Sequence, residues 1–319
     1  MTIGARLRRL GVLGINRRNS VYTSRWNRRE HYPSVDDKLE TKRLLRAAGI
    51  PTAPVLAVAR INSEVRGMLD ALEGRASFVI KPAHGAMGNG VLVVLEREGD
   101  WFLRTGGQWL DRRALSYHSE SIISGAYALG GQPDAAFAEE RLRAHPELAE
   151  ISAAGVPDVR VVVFRGVPVM AMIRLPTERS RGRANLHQGA VGVGVELDSG
   201  VTSFAVCAGR STAVHPDTQR AVLARKLPEF ERVLEIAVRA SDQTPLGYVG
   251  ADVVVDAARG PLVLELNARP GLAIQLANRA GLVPRLEEVD RRVRPEMPWP
   301  ERIALGREIA RRARSGALA

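Results

Sequence analysis

The sequence predicts an α+β fold built on antiparallel sheets. Three observations support this class. Apolar segments of strand length outnumber helical segments, most of them come in pairs joined by short turns, and helices are interspersed among the pairs. A doubly wound parallel sheet would instead require regular βαβ units. The chain of 319 residues suits one large or two small domains, and its 45% hydrophobic content allows a sizeable core.

Charge, cysteine content and hydropathy indicate the chemistry of a partner, the cellular compartment and whether the chain spans a membrane. The formal net charge of +11 favours contact with an anion: a nucleotide, nucleic acid, an acidic polypeptide or an anionic membrane surface. Cys207 is the single cysteine, so no intramolecular disulfide can form, and a reducing compartment is expected. No apolar run reaches the ~18 residues of a membrane span. The apolar piece Leu10–Ile15 is shorter than the ~7–15 residues of a signal-peptide core. The sequence therefore predicts a cytoplasmic protein without a transmembrane segment.

Changes in pattern along the chain predict its organisation. Residues 1–33 contain eight arginines and few apolar residues, which is typical of a basic N-terminal arm. A folded domain is expected over 34–290, with subdomains at about 34–137 and 138–290, and a basic tail over 291–319. The first helix is expected to begin near Ser34, where Asp37 stands three residues later, and to end at Gly49.

Periodicity predicts the remaining elements in order. The predicted helices are 64–73, 216–240, Ala273–Ala280 and Glu301–Arg314, and the predicted strands are Phe78–Lys81, Val91–Leu95, Ala136–Leu142, Asp158–Phe164, Val167–Arg174, Tyr248–Val255 and Pro261–Leu266.

A glycine-rich loop, HGAMGNGV, lies between two predicted strands. Gly85, Gly88 and Gly90 allow backbone N–H groups to approach phosphate oxygens. A Rossmann fingerprint is excluded because a strand follows, and a P-loop is excluded because Val91 follows the last glycine where that motif has lysine. Lys81 at the end of the preceding strand suits phosphate contact. The alternative is an ordinary hairpin loop with Lys81 extending to solvent.

Oxygen-bearing side chains interrupt two apolar strands near the C-terminus. Asp252 lies in VGADVVV, and Glu265 and Asn267 lie two residues apart in LVLELN, on one face of the strand. If the hairpin turns near Ala257–Gly260, Asp252 comes across from Glu265. Two carboxylates and a carboxamide suit Mg²⁺ bridged to phosphates. The alternative is that these side chains pair with arginines.

Further charged residues occupy apolar surroundings. Arg160 and Arg174 lie on adjacent predicted strands, where a buried guanidinium requires an anion, either a structural carboxylate or a substrate phosphate. Glu139 and Glu140 end a short strand and could face an adenosine, although a solvated pair of charges explains them as well. Asn185 opens a polar loop, NLHQG.

The order of these motifs resembles the ATP-grasp superfamily: the DDKLETK helix, VIKP, the glycine loop, AEE, DVR…MIR, NLHQG and GAD…LELNARPG. The residues of these motifs are most similar to those of alpha-L-glutamate ligase-like proteins, which are related to the ligases that add glutamate to a ribosomal protein. The resemblance covers roughly residues 34–285. It implies two α/β subdomains with antiparallel sheets that clamp the nucleotide, here with a shortened N-terminal region.

The resemblance also implies a role for each motif. The residues that would hold the nucleotide are Lys38, Lys81, Gly85, Gly88, Gly90, Glu139 and Glu140, with the glycines as a flexible lid. The Mg²⁺ ligands would be Asp252, Glu265 and Asn267. The residues that would orient the acyl phosphate or its carboxylate are Arg174, Arg160, Asn185 and Arg269.

The activity implied is an ATP-dependent, ADP-forming carboxylate–amine ligase that works through an acyl phosphate. ATP and two Mg²⁺ ions are the expected cofactors, with Mn²⁺ as a substitute. The substrates would be a small-molecule or peptide carboxylate and an amine, for example glutamate and an acidic polypeptide acceptor. No nucleic-acid partner is expected, and a homodimer is compatible with the resemblance. Three alternatives stay open: an ATP-grasp phosphotransferase of kinase-like chemistry, a degenerate ATP-binding regulator and, least favoured, a basic nucleic-acid-binding protein that would use residues 1–29 and 301–314.

Two departures leave the acceptor open. Related ligases carry a full α/β domain before the DDKLETK helix, where this sequence has about 33 residues. Some also place an arginine two residues before the metal-binding aspartate, where this chain has Gly250, so Arg174 is expected to take over that duty.

Overall fold

The computed structural model describes residues 2–85, 88–128 and 130–317. The chain forms two compact units. The first contains the residues up to Val35, Glu40–Thr52 and the chain from Arg143 onward, and the second contains Asp36–Leu39 and Ala53–Leu142. Each unit has its own sheet.

Twelve α-helices and thirteen strands are formed by the residues that the structure describes. The helices are α1 Ile3–Arg9, α2 Ile15–Arg17, α3 Ser24–Trp26, α4 Pro33–Asp36, α5 Lys38–Ala47, α6 Val65–Asp70, α7 Arg112–Ile123, α8 Pro146–Ala149, α9 Phe230–Ser241, α10 Ile274–Asn278, α11 Val283–Arg292 and α12 Trp299–Arg314. The strands are β1 Val55–Ala59, β2 Phe78–Pro82, β3 Leu92–Glu98, β4 Trp101–Arg104, β5 Trp109–Asp111, β6 Ala136–Glu139, β7 Asp158–Phe164, β8 Val167–Leu175, β9 Val191–Val195, β10 Thr202–Cys207, β11 Arg210–Ser211, β12 Tyr248–Asp256 and β13 Gly260–Asn267.

The second unit is a six-stranded antiparallel sheet in the order β1-β6-β2-β3-β4-β5. Alternate residues of its central strands, such as Phe78 and Ile80 on β2, point into one apolar cluster because side chains alternate across a strand. Leu115 and Ile122 of α7 complete that cluster. The sheet therefore buries one face under its helices, and the ends of β2 and β6 hold the polar residues of interest.

The first unit is a seven-stranded antiparallel sheet in the order β11-β10-β9-β8-β7-β12-β13. Its central strands are buried on both faces, which explains their near-continuous apolar sequences. Val161 and Val163 of β7 point into a cluster that includes α9, whereas Val162 and Phe164 point into a second cluster that includes α10 and α11. The two antiparallel sheets and their helices confirm the predicted α+β class.

The prediction of one long helix over 216–240 is wrong in its first half. Only Phe230–Ser241 is helical, and the chain before it forms turns. Gln219, Ala224 and Glu229 adopt positive φ angles, which interrupt a right-handed helix, and Pro228 precedes the helix start. Val222 is nevertheless fully buried, so its apolar character reflects packing rather than helical periodicity.

The predicted basic arm over 1–33 differs from the structure, in which most of this segment packs into the first unit. Leu13 and Tyr22 are 1% and 2% exposed. The side chain of Asn27 donates to the carbonyl oxygens of Tyr248 and Ala268, both at 2.7 Å. Short helical turns give no long apolar period, which is why the sequence pattern missed this packing. No residue of α1 is buried.

The predicted boundaries at the other end of each unit also differ. The second unit extends to Leu142 rather than to about 137, and the expected tail over 291–319 contributes α12 to the first unit. Ile309 on that helix is fully buried. The sequence pattern did not predict β1, α7 or α11.

Candidate active site

A polar cluster occupies one end of a sheet face in the first unit. Asp252 on β12 lies opposite Arg160 on β7 on one side and opposite Glu265 on β13 on the other. Arg174 on β8 lies opposite Asp158 on β7. Because side chains two residues apart share a face, Asp158 and Arg160 join the same group. Elsewhere this face carries the apolar cluster of Val162 and Phe164, so the polar group is a local exception to it.

A β-bulge sets the register at Asp252. Asp252 pairs with Glu265, whereas the next residue, Val253, pairs with Val263. Leu264 is therefore the extra residue, and the partner strand bends where the two carboxylates meet. The structure thus brings Asp252 across from Glu265, as the hairpin pattern predicted.

Two arginines hold the carboxylate of Asp252, which is fully buried. Arg160 donates through Nε and Nη2 to its two oxygens at 2.7 and 2.6 Å. Arg174 donates to Asp252 Oδ2 at 2.7 Å and binds Asp158 through two further bonds of 2.6 and 2.8 Å. Asp158 was missed from the sequence, although its position two residues before Arg160 would have placed it on this face.

Burial and charge in the cluster shift the pKa values of Asp252, Asp158 and Arg174. Burial opposes ionisation of Asp252, but the charges of Arg160 and Arg174 outweigh it and lower the pKa of Asp252 to about 2. Burial and the neighbouring Asp252 charge raise the pKa of Asp158 to about 6, against the opposing effect of Arg174. Burial lowers the pKa of Arg174, but the carboxylates of Asp158 and Asp252 raise it further than burial lowers it.

Glu265 and Asn267 complete the cluster. The Asn267 amide Nδ2 lies 3.3 Å from Asp252 Oδ2 and 3.2 Å from Glu265 Oε1. Among the ion pairs of the described residues, none involves Glu265. Three carboxyl groups thus adjoin two guanidinium groups, and Glu265 is the one that neither arginine binds.

The oxygen atoms of the cluster suit Mg²⁺ only if water and substrate phosphates complete its coordination shell. Within residues 2–85, 88–128 and 130–317, no group of three His, Cys, Asp or Glu side chains is placed to hold a metal by itself. Mg²⁺ typically takes one or two carboxylates and completes its shell with water and substrate phosphates. Glu265, Asp252 and the Asn267 oxygen supply such a partial set. The arginine pairing that the sequence left as an alternative is also present, and it involves Asp252 but not Glu265.

The Arg-Pro-Gly turn after β13 packs beside the cluster. A Cβ at Gly271 would lie 3.8 Å from Arg160 Nη1, and a Cβ at Gly250 would meet Pro270 at 2.8 Å. Glycine at 250 therefore makes room for the turn. A larger side chain at that position would displace Pro270.

Asn185 and Arg269 make other contacts. The Asn185 Oδ1 accepts the His187 N–H at 3.0 Å and so begins a 3₁₀ turn at Leu186–Gln188. The Arg269 side chain is exposed, and its guanidinium lies 4.9 Å from the ring centre of Tyr32. No hydrogen bond or ion pair of the described residues joins either side chain to Asp252 or Glu265.

In the second unit, Lys81 and Glu139 bind each other. Their side chains lie on the neighbouring strands β2 and β6, and Lys81 Nζ is 2.5 Å from Glu139 Oε1. The residues are 6% and 3% exposed. Glu140, the next residue, receives a longer contact of 4.0 Å from Arg75. A buried cation and carboxylate at the end of this sheet are therefore fixed in place before any ligand binds.

The start of the glycine loop is held by a second lysine. Lys38 Nζ donates to the carbonyl oxygen of Gly85, and to that of Ala83 at 3.4 Å. A Cβ at Gly85 would come within 2.2 Å of Pro82, so the chain approaches too closely there for any other residue. Gly88 and Gly90 both adopt φ of +73°. Ala86 and Met87, within the predicted lid, lie outside the described residues.

Two histidines that were not singled out from the sequence flank this loop. His84 Nδ1 lies 2.7 Å from Asp134, whose carboxylate also accepts the His84 backbone N–H at 3.0 Å. His118 Nε2 lies 3.0 Å from the Gly90 carbonyl oxygen, and burial lowers the pKa of this histidine. The neutral ring of His118 therefore donates Nε2–H to the loop. No motif in the sequence pointed to either contact.

The two antiparallel sheets, the glycine loop held by Lys38 and the neighbouring Asp252 and Glu265 agree with the ATP-grasp resemblance of the sequence. The family described as sugar-transfer associated ATP-grasp matches residues 17–291, and the chain belongs to it. ATP-grasp enzymes use ATP and Mg²⁺.

Curated relatives include two ribosomal protein bS6–L-glutamate ligases. The one from Escherichia coli O7:K1 (strain IAI39 / ExPEC) is 29% identical over 237 residues, and the one from Salmonella paratyphi B (strain ATCC BAA-1250 / SPB7) is 28% identical over 237. In each case the match covers 74% of this chain and 56% of the relative. The chain therefore spans about half the length of these relatives.

Solved structures that the comparison matches include the ATP-grasp ligase PsnB complexed with minimal precursor, at 18% identity, and the D-cycloserine synthetase DcsG, at 16%. Both have a TM-score of 0.42 and cover 88% of this chain, with 62% of the PsnB chain and 70% of the DcsG chain matched.

Proposed function

We propose that this protein is an ATP- and Mg²⁺-dependent carboxylate–amine ligase that forms ADP. The observation that carries the proposal is the cluster on β7, β8, β12 and β13, where a carboxylate without an ion-pair partner, Glu265, adjoins two arginine-bound aspartates. Glu265 is half-buried, and neither arginine of the cluster binds it. A carboxylate in this position, next to Asp252 and Asn267, supports a cation site.

The reaction has two steps. An oxygen of the substrate carboxylate attacks the γ-phosphorus of ATP, the bond to the β-phosphate oxygen breaks, and ADP leaves. The amine nitrogen then attacks the carbonyl carbon of the acyl phosphate, phosphate leaves, and the nitrogen loses a proton. Positioning and charge neutralisation supply most of the catalysis in such phosphoryl transfers. No nucleophilic side chain is needed.

The first unit supplies the metal ligands and the arginines. Asp252, Glu265 and Asn267 would hold Mg²⁺, which would supply charge neutralisation to the phosphates. Arg160 and Arg174 each use Nε and Nη2 on aspartates. Among the hydrogen bonds of the described residues, their Nη1 groups have no acceptor. These N–H groups suit an acyl-phosphate oxygen or a developing oxyanion. Asn185 and Arg269 are proposed to contact the substrate carboxylate only on substrate binding.

The second unit supplies the nucleotide contacts. Lys81, held by Glu139, is proposed to neutralise an α- or β-phosphate, and the loop of Gly85, Gly88 and Gly90 to donate backbone N–H groups. Lys38 holds the start of that loop through carbonyl oxygens. Its proposed role is therefore to position the loop, in addition to contacting phosphate. Glu139 and Glu140 are proposed to face the adenine or ribose.

The acceptor is proposed to be an amino acid or an acidic peptide. The names of the curated relatives describe ligation of L-glutamate to a ribosomal protein, and PsnB is described in complex with a precursor peptide. The net charge of +11 favours an acidic acceptor through long-range attraction. Glutamate is the amino acid given in the names of these relatives, and we propose it first.

The test is a screen for ADP release with amino acids and acidic peptides, in the presence of Mg²⁺ and with a mass readout. A new amide, with one ADP and one phosphate per bond, supports ligation. A phosphorylated acceptor with ADP but no amide would identify a phosphotransferase. Nucleotide binding without turnover across the screen would instead identify an ATP-binding regulator.

A further inference from the structure

The N-terminal helix α1 presents an apolar stripe to solvent. Ile3, Leu7 and Leu10 are 81%, 44% and 59% exposed. Residues three or four positions apart lie on the same side of a helix, so these three side chains form one stripe. None of the residues of α1 is buried. A contiguous exposed stripe of large apolar side chains indicates a binding surface.

The same segment is strongly basic. Arg6, Arg8 and Arg9 lie in the last turn of α1, and residues 1–29 contain eight arginines and no aspartate or glutamate. None of these three arginines takes part in an ion pair of the part of the chain that the structure describes. A partner of α1 must therefore be both anionic and able to accept apolar side chains.

The chain after α1 is fixed to the first unit, so the helix is displayed at a defined place. The Val283 N–H donates to the Gly11 carbonyl oxygen at 3.0 Å. The Gln275 side chain accepts the Leu13 N–H at 2.8 Å and donates to the Leu13 carbonyl oxygen at 3.1 Å. Gly11 has φ of +66°, and a Cβ there would meet Pro284 at 2.5 Å. The exposed stripe is therefore built into the fold at this attachment.

We propose that α1 binds the surface of an anionic phospholipid bilayer, with Ile3, Leu7 and Leu10 among the acyl chains and the arginines on lipid phosphates. Basic helices with one apolar face bind membranes in this way, lying on the surface rather than crossing it. No helix among the described residues is long and apolar enough to cross a membrane.

A soluble polyanion fits α1 less well than a bilayer does. Nucleic acid or an acidic peptide would use the arginines but leave the apolar stripe in water. Single-stranded nucleic acid is bound through stacking aromatic rings, and the first aromatic residue of the chain is Tyr22. Tyr22 is buried, so it offers no exposed ring beside α1.

The test is sedimentation of the full chain with vesicles of phosphatidylcholine alone or mixed with phosphatidylglycerol. We expect binding to the anionic vesicles only, and weaker binding at high salt because salt screens exposed charges. The double variant Leu7→Gln/Leu10→Gln and the double variant Arg8→Gln/Arg9→Gln should each bind at least ~10-fold more weakly.

Matched controls separate this surface from general charge and hydrophobicity. Ile61→Gln removes another exposed apolar side chain, and Arg113→Gln removes another exposed arginine, and both should bind as the parent does. Failure of the parent to bind anionic vesicles, or unchanged binding of Leu7→Gln/Leu10→Gln, would overturn the proposal. The proposal would also be overturned if only Arg8→Gln/Arg9→Gln lost vesicle binding and soluble polyglutamate competed with the vesicles for the parent protein. Vesicle binding does not depend on the proposed ligase activity.

Discussion

At the scale of single residues, Asp252 is the central residue of the polar cluster. It is fully buried, binds two guanidinium groups and lies opposite Glu265. One carboxylate thus has a structural role in joining β7, β8 and β12 and a proposed role in metal binding. The two roles can be separated by experiment, since stability reports the first and catalysis the second.

Asp252→Asn should lower the free energy of unfolding at neutral pH by at least about 2 kcal/mol, because the folded-state pKa of Asp252 is near 2 and breaking a buried ion pair is costly. A lowered folded-state pKa stabilises the protein above the unfolded pKa, and that stabilisation is lost as pH falls through the folded value. The part of the deficit that comes from Asp252 itself should therefore be fully present at pH 7 and shrink below about pH 4. Urea unfolding at each pH measures it.

The exposed Asp100→Asn variant serves as the control for Asp252→Asn and should show no deficit at any pH. An Asp252→Asn protein as stable as the parent at pH 7 would mean that the arginine network is not formed in solution.

At the scale of elements, the glycine loop is defined by close contacts at its start. The Gly85 backbone leaves no space for a Cβ beside Pro82, and Lys38 holds its carbonyl oxygen. The loop geometry therefore depends on Gly85 itself rather than on general flexibility.

Gly85→Ala should raise the KM for ATP by ~10-fold or more and change kcat less, because displacement of phosphate-binding groups by about 1 Å is costly. Steady-state ADP release measures both constants. Gly67→Ala, on the surface of α6 with open space at its Cβ, is the matched control. An unchanged KM for Gly85→Ala would mean that the loop does not bind the nucleotide.

The last helix, α12, is a second element whose role the structure changes. It was expected to be a basic tail, and it contributes the fully buried Ile309 to the first unit. Ile309→Ala should lower the free energy of unfolding by about 2–5 kcal/mol, since truncation leaves a cavity. The exposed Ile61→Ala should cost far less, and chemical denaturation compares the two. Equal stability of both variants would mean that α12 is not packed in solution.

The sequence predicted the elements whose pattern is local and missed those that depend on packing. The alternation in LVLELN and VGADVVV and the short turn between them predicted Glu265 near Asp252, whereas their direct pairing also depends on the β-bulge at Leu264. The pairing of Asp158 with Arg174 was not predicted, because a β-bulge between Val162 and Val163 shifts the β7–β8 register. Apolar residues before α9 recur at helical spacing, so the sequence predicts a helix there, although the segment forms turns.

At the scale of the whole molecule, the sequence resemblance and the family membership agree on an ATP-grasp protein. The first unit carries the arginine and carboxylate cluster, and the second carries Lys81, Glu139 and the glycine loop. The chain spans about half of the curated relatives that it matches, so substrate identity requires direct measurement.

The most direct test of the central claim is Mg²⁺-dependent ADP release by Glu265→Ala, compared with Glu178→Ala as an exposed control. Removing a metal ligand forfeits several kcal/mol of charge stabilisation, so we expect a loss of at least ~100-fold in kcat/KM. Because Glu265 has no ion-pair partner among the described residues, thermal unfolding should change little. A folded Glu265→Ala protein with the turnover and Mg²⁺ dependence of the parent would contradict the account.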